Sequence, residues 1–255
     1  MRKNLFAIFL MSLILCPALP TYSQSTRTAG DFRNVLKVNL SSAALKNASL
    51  QYERAFGGRI SFALGTSYMP KTGLPFANAL MEQFGHNDDA RTAIETTELT
   101  LFTFTPEIRF YTGANMAPSG FYVAPFVRFT YMELAQVYSF VASDGIRYNP
   151  DVEGSLNYIA GGLLLGYQFP IGRRFNLDIW IAGPYVGAMS GDFIGIDRNA
   201  TMSNTVKNDL KNDIESFELP LTTIEATVGS DQVDVVLGGG VLGIRALGFA
   251  LGFKF

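Results

Sequence analysis

Hydrolytic chemistry in a chain of this kind needs a base beside a nucleophile, and imidazole is the usual base for activating serine or water. The chain has one histidine, His86, within GHNDDA (85–90). Its neighbours Asn87, Asp88 and Asp89 suit a solvated loop, and no serine can be assigned to it from sequence. The same carboxylates could meet a hard cation, yet they lack the spaced ligands of a calcium loop. Two glycine clusters, Gly161–Gly162 and Gly238–Gly240, are not followed by the Lys–Ser/Thr of a phosphate loop. They read instead as strand glycines making room for a bulky neighbour such as Trp180. No catalytic residue, metal site or cofactor is therefore expected.

The other polar residues that stand out are charges embedded in apolar surroundings, and their spacing is informative. Glu53, Glu107, Arg109, Arg128 and Asp178, with Lys37 and Lys254, each fall in a stretch of strict alternation. Leu36, Val38 and Leu40 alternate with Lys37 and Asn39, and Leu50 and Tyr52 with Gln51 and Glu53. Ile60 to Tyr68, Phe102 to Phe110, Phe121 to Tyr131, Ile159 to Phe169, Phe175 to Ile181 and Leu247 to Phe255 repeat the pattern, so the sequence predicts eight strands. One face of each strand is bulky and apolar. The other mixes Gly, Ala, Ser and Thr with the charges.

The links between these strands sort by length. On one side lie short links at 56–58, 112–120 and 170–174; on the other lie long ones at 70–97, 133–154 and 191–232, with a short first link at 42–47. Short turns at one end and long loops at the other are the arrangement of bacterial outer-membrane barrels. Eight strands enclose room for only modest side chains, so the small and charged face is expected inside and the bulky face against lipid. Arg54 and Arg245 are expected near strand ends. Inside, charges persist only if paired and hydrogen-bonded, which predicts a salt-bridged network drawn from Glu53, Glu107, Arg109, Arg128 and Asp178, with its pairing unreadable from sequence.

Composition fits this reading. Hydrophobic residues make up 48%, aromatics 13% and charged residues 16% of the 255, with 25 glycines. That is too apolar for disorder and has no helix-length apolar run beyond the N-terminus. Arg2 and Lys3, an apolar run from Leu5 to Leu15, Pro17 and Pro20, then Thr21 and Ser23 predict a signal peptide over 1–23 cut before Gln24, leaving a barrel domain over 24–255. A rival lipoprotein reading of Cys16 is disfavoured by Leu15 before it. Cleavage removes two of 20 basic residues and none of 22 acidic ones, so 18 − 22 gives −4, which with no basic tract argues against nucleic acid. Within 203–219, Val206, Leu210, Ile214 and Phe217 recur at helical spacing, and a short helix packed on the barrel rim is expected.

The stretches LKVNLSSAALKNASLQYERAF (36–56), PEIRFYTG (106–113), GFYVAPFVRF (120–129), LLLGYQFPIGRRFNLDIWIAGPYVGAMSGDF (163–193) and GIRALGFALGFKF (243–255) resemble a domain-of-unknown-function family of small Gram-negative outer-membrane barrels. The resemblance implies a barrel of the OmpA/OmpX type in the outer membrane and brings no functional residues. The alternating end at Phe253 and Phe255 is similar to the C-terminal signal read by the barrel assembly machinery. The expectation is an eight-stranded antiparallel transmembrane barrel, not an enzyme, with a structural or surface-interaction role and with membrane lipid and lipopolysaccharide as surroundings. The alternatives are a lipid-modifying barrel enzyme and a narrow solute channel.

Overall fold

The computed structural model describes residues 32–86, 88–112, 117–141, 145–196, 203–216, 221–229 and 232–255. The expected signal peptide, Cys16, Asn87 and Phe217 lie outside the described residues.

Eight antiparallel strands close a ring: β1 (Asn34–Asn39), β2 (Ala48–Gly57), β3 (Ile60–Gly73), β4 (Glu98–Tyr111), β5 (Gly120–Val137), β8 (Asp151–Ile171), β9 (Phe175–Ile196) and β11 (Gln232–Lys254), with β11 hydrogen-bonded back to β1. Closure leaves the first and last strands paired, Leu36 opposite Phe253 and Val38 opposite Leu251. The short strands β6 (Phe140–Val141) and β7 (Arg147–Tyr148) form a small hairpin between β5 and β8, and β10 (Thr222–Val228) pairs with the upper part of β11. Helices occupy the links: α1 (Leu40–Ala44) follows β1, α2 (Ala77–Phe84) and α3 (Asp88–Thr96) lie between β3 and β4, and α4 (Asn204–Glu215) lies between β9 and β10. None is long and apolar enough to cross a membrane.

Several strands run well past their expected ends. β5 continues to Val137, β8 starts at Asp151, β9 reaches Ile196 and β11 begins at Gln232. On β5 and β8 the outward positions in these extensions become polar, as at Glu133 and Glu153, so the apolar alternation fades while the backbone ladder goes on. On β9 and β11 exposed apolar residues continue, among them Val186, Ile194, Val236, Leu242 and Ile244, interrupted by glycine and small residues. Leu40, expected as the last residue of the first strand, instead opens α1, whose N-cap Asn39 accepts from the Ser42 amide at 3.1 Å.

The pleat turns small or charged residues inward and leaves large apolar ones exposed all round: Leu36, Val38, Ile60, Phe102, Phe110, Val127, Ile159, Phe175, Ile181 and Phe249 among them. Room for the inward aromatics comes from glycine on the next strand. A Cβ on Gly162 would stand 2.6 Å from Phe126 Cζ, and one on Gly248 2.8 Å from Trp180 Cδ2. The Gly161–Gly162 and Gly238–Gly240 clusters lie within β8 and β11.

Arg245 departs from the expected placement. It sits within β11, is 7% exposed, and points inward. Leu165 of β8 faces Ala182 and Gly166 faces Trp180, so Ile181 is an extra residue in β9 and the pleat changes phase there. β11 keeps its register with β9 and changes phase with it at Leu247, which has φ +51° and is 74% exposed. Strict alternation read back from Phe255 therefore gives the wrong face above Leu247.

Candidate functional site: a buried charge network across the ring

The interior of the ring holds three carboxylates and three cations in mutual contact. Lys37 on β1 donates to Glu53 Oε2 and Asp178 Oδ2, each at 2.5 Å, and to Gln168 Oε1 at 3.2 Å, which uses all three ammonium protons. Arg109 on β4 lies at the centre. Its Nη1 donates to Asp178 Oδ2 at 2.6 Å and Glu53 Oε2 at 3.1 Å, its Nε to Glu107 Oε1 at 2.8 Å, and its Nη2 to Gln51 Oε1 at 2.9 Å and to Glu107. Its guanidinium carbon stands 4.4 Å from the centre of the Tyr122 ring. On β11, Arg245 Nη1 reaches Glu107 Oε2 at 3.0 Å, with its guanidinium over Trp180 at 4.5 Å and Phe126 at 4.8 Å.

Neutral donors complete the carboxylates. Tyr122 donates to Asp178 Oδ1 at 2.7 Å, Gln51 Nε2 to Glu107 Oε1 at 2.8 Å, and Ser61 to Glu53. The Tyr111 hydroxyl lies 2.6 Å from both Glu53 Oε1 and Gln168 Oε1 and donates to one of them. Every strand of the ring contributes: Lys37 from β1, Glu53 and Gln51 from β2, Ser61 from β3, Glu107, Arg109 and Tyr111 from β4, Tyr122 from β5, Gln168 from β8, Asp178 from β9 and Arg245 from β11. Lys37, Glu53, Glu107, Arg109, Tyr122, Gln168 and Asp178 are fully buried. Such a cluster is a cross-brace, since charges this buried are held only by their partners.

Of the expected residues, the structure brings Glu53, Glu107, Arg109 and Asp178 together and leaves Arg128 out. Arg128 faces inward from β5 but makes no ion pair with a carboxylate among the described residues, and its Nε is buried without a partner. Lys37 was legible as inward-facing but not as a hub. Gln51, Tyr111, Tyr122 and Gln168 carry no sequence signal beyond their inward register, and Arg245 was hidden by the phase change. Lys254 is half-buried near the open lower end.

His86 and its acidic neighbours lie on the link between β3 and β4. His86 is exposed just past α2, its amide bonded to Phe84 O at 2.8 Å. Asp88 and Asp89 open α3, and Asp89 is tied to Arg147 of β7. That hydrogen bond holds the Asp89 carboxyl below its ordinary value of 3.8. Among the described residues no three His, Cys, Asp or Glu side chains gather as a metal site. On α4, Val206 and Leu210 are buried against Tyr148 and Val233, with Ile214 packed alongside.

No curated protein and no solved structure matches the chain. The model of a family described as a protein of unknown function (DUF3575) matches residues 9–212, and the chain belongs to that family.

Proposed function

We propose that the ring is an outer-membrane β-barrel, exported with a cleaved signal peptide, that serves as a closed structural and surface-presenting element and not as an enzyme. The observation that carries this is the outward face: a continuous belt of exposed large apolar side chains around a ring whose interior is charged. On β4 the belt runs from Phe102 to Phe110; with ~3.4 Å of rise per residue and ~40° of tilt this is about 20 Å, near the ~25 Å apolar band of such barrels. Aromatics edge it at both limits, Tyr68, Phe102 and Tyr131 above and Phe110, Phe169, Phe175 and Phe253 below. Above it the outer surface turns acidic, with Glu98, Glu133, Asp151, Glu153 and Asp192 around a cleft of about 640 Å³.

On this reading the short links are periplasmic, the helix-bearing links face outward from the cell, and the last strand, ending at Phe255, is what the assembly machinery receives. The buried network supports a barrel closed to solutes, because Arg109, Tyr122, Leu164 and Gln168 fill the cross-section. Two assays on one protein test the role. Purified protein in liposomes is expected to pass neither sugars nor ions, and a deletion strain is expected to keep the lipid A and phospholipid profile of its parent. Steady solute flux would favour the channel. A changed lipid profile reproduced by His86→Ala would favour the enzyme.

A further inference from the structure

The charge balance inside the ring is complete without Arg128. Lys37, Arg109 and Arg245 offset Glu53, Glu107 and Asp178. Arg128 is left above them as a cation in contact with no carboxylate among the described residues, near Arg245, Tyr158 and Tyr185 and within reach of the Glu107 charge that Arg109 and Arg245 already hold. A guanidinium in an enclosed interior that no counter-charge touches is costly. Arg128 Nε, Thr130 Oγ1 and Trp180 Nε1 are all buried and unpaired among the described residues. Thr130 follows Arg128 on the same inward face of β5, and Trp180 lies under Arg245. The other unpaired interior atoms, on Asn47, Gln168 and Asn176, belong to different places: the link after α1 and the lower interior. A forked cation with unpaired N–H and O–H donors on neighbouring inward residues is the kind of donor set that a tetrahedral oxyanion takes.

At this height the ladder on one side of β11 is interrupted. β1 ends with Asn39 opposite Ala250, and β10 begins with Thr222 opposite Gly239. Gly240 N still reaches Leu221 O at 2.5 Å, and Phe249 N is bonded to Ser41 Oγ of α1 at 3.2 Å. Between them, residues 241–248 of β11 are paired with β9 alone among the described residues. Leu242, Ile244 and Leu247 are 58, 63 and 74% exposed along that stretch, and Arg245 turns inward from its middle. In a bilayer an unpaired strand edge is unfavourable unless something covers it. An acyl chain can lie on Leu242, Ile244 and Leu247, with its headgroup turned toward the interior beside α1.

We propose that Arg128 anchors a binding site for a phosphate group in the upper interior, and that the phosphate is borne by a lipid entering sideways at the α1–β11 notch. The proposal rests on the reading of the ring as membrane-spanning. Trp180, the chain's one tryptophan, reports on the site. The folded mature protein in maltoside micelles is titrated with short-chain phosphatidic acid, with the matching diacylglycerol, and with inorganic phosphate, following Trp180 emission. The expected result is a saturable change with phosphatidic acid, none with diacylglycerol, and at least tenfold weaker binding of free phosphate. Arg128→Gln should weaken phosphatidic acid binding at least tenfold, with Arg128→Lys intermediate. Because Arg128 gives up no ion pair, Arg128→Gln should also unfold at the same temperature as the parent or higher; a lowered temperature would assign Arg128 a bracing role instead. Equal responses to diacylglycerol, or unchanged binding by Arg128→Gln and Arg128→Lys, would overturn the site. Free phosphate matching phosphatidic acid would overturn the side entry. Failure of the parent to float with vesicles would overturn the membrane reading, whereas a floating parent without any Trp180 response would overturn this proposal alone.

Discussion

At the scale of single residues, Glu107 is the joint between two halves of the interior, with Oε1 held by Arg109 and Gln51 and Oε2 by Arg245. Glu107→Ala leaves two buried guanidinium groups short of a partner, and removing one member of such a set costs about 3–5 kcal/mol. The urea midpoint of the folded protein in micelles should fall accordingly, while the variant stays impermeable to solutes. Alternation was enough to put Glu53, Glu107, Arg109 and Asp178 on one face, because period two fixes the side a residue takes. It could not give their pairing. That depends on the stagger of strands far apart in sequence, such as Arg109 and Asp178, 69 residues apart. Arg128 shows the same limit from the other side: its face was legible, but its height above the carboxylates was not.

At the scale of elements, legibility followed apolar periodicity. The eight ring strands could be read wherever outward positions are apolar, and α4 because Val206, Leu210 and Ile214 recur at helical spacing. The upper extensions of β5 and β8, β10 and the helices of the 74–97 link were missed because their outward faces are polar. Those of β9 and β11 were missed because glycines and the change of phase at Ile181 and Leu247 break an alternation that still leaves Val186, Ile194, Val236, Leu242 and Ile244 outward. Leu210 is 4% exposed in the cluster joining α4 to β7 and β11. Leu210→Ala should therefore loosen α4, at a local cost in the ~2–5 kcal/mol range for buried leucines. Limited proteolysis should cut within 203–216 while the melting of the ring stays unchanged. The exposed Asp89–Arg147 contact ties α3 to the β6–β7 hairpin. Since the folded-state carboxyl value is depressed, the tie is fully present above 3.8 and is lost as pH falls through the lower folded value. The Arg147 side-chain resonance should shift as the pH is taken below 3.8, and in Asp89→Asn it should not.

At the scale of the whole molecule, the ring is inverted relative to an ordinary soluble protein. Charge is at the centre, and the apolar side chains are outside. The small inward residues make this arrangement possible: Ala63, Ala124 and Ala160 fill little space, so Arg109, Tyr122 and Lys37 fit between them. On the proposed reading the exposed belt faces lipid, where a charge at the midplane costs about 2–4 kcal/mol. Val127, outward and 39% exposed, and Ala124, inward and fully buried, stand three residues apart on β5 and take opposite faces. Single cysteines at these two positions, labelled with a small fluorophore and reconstituted into bilayers of brominated lipid, test the assignment directly. A barrel with its apolar face in lipid gives strong quenching of the Val127→Cys label and little of the Ala124→Cys label. Equal quenching at both positions, or none at Val127→Cys, would contradict that assignment.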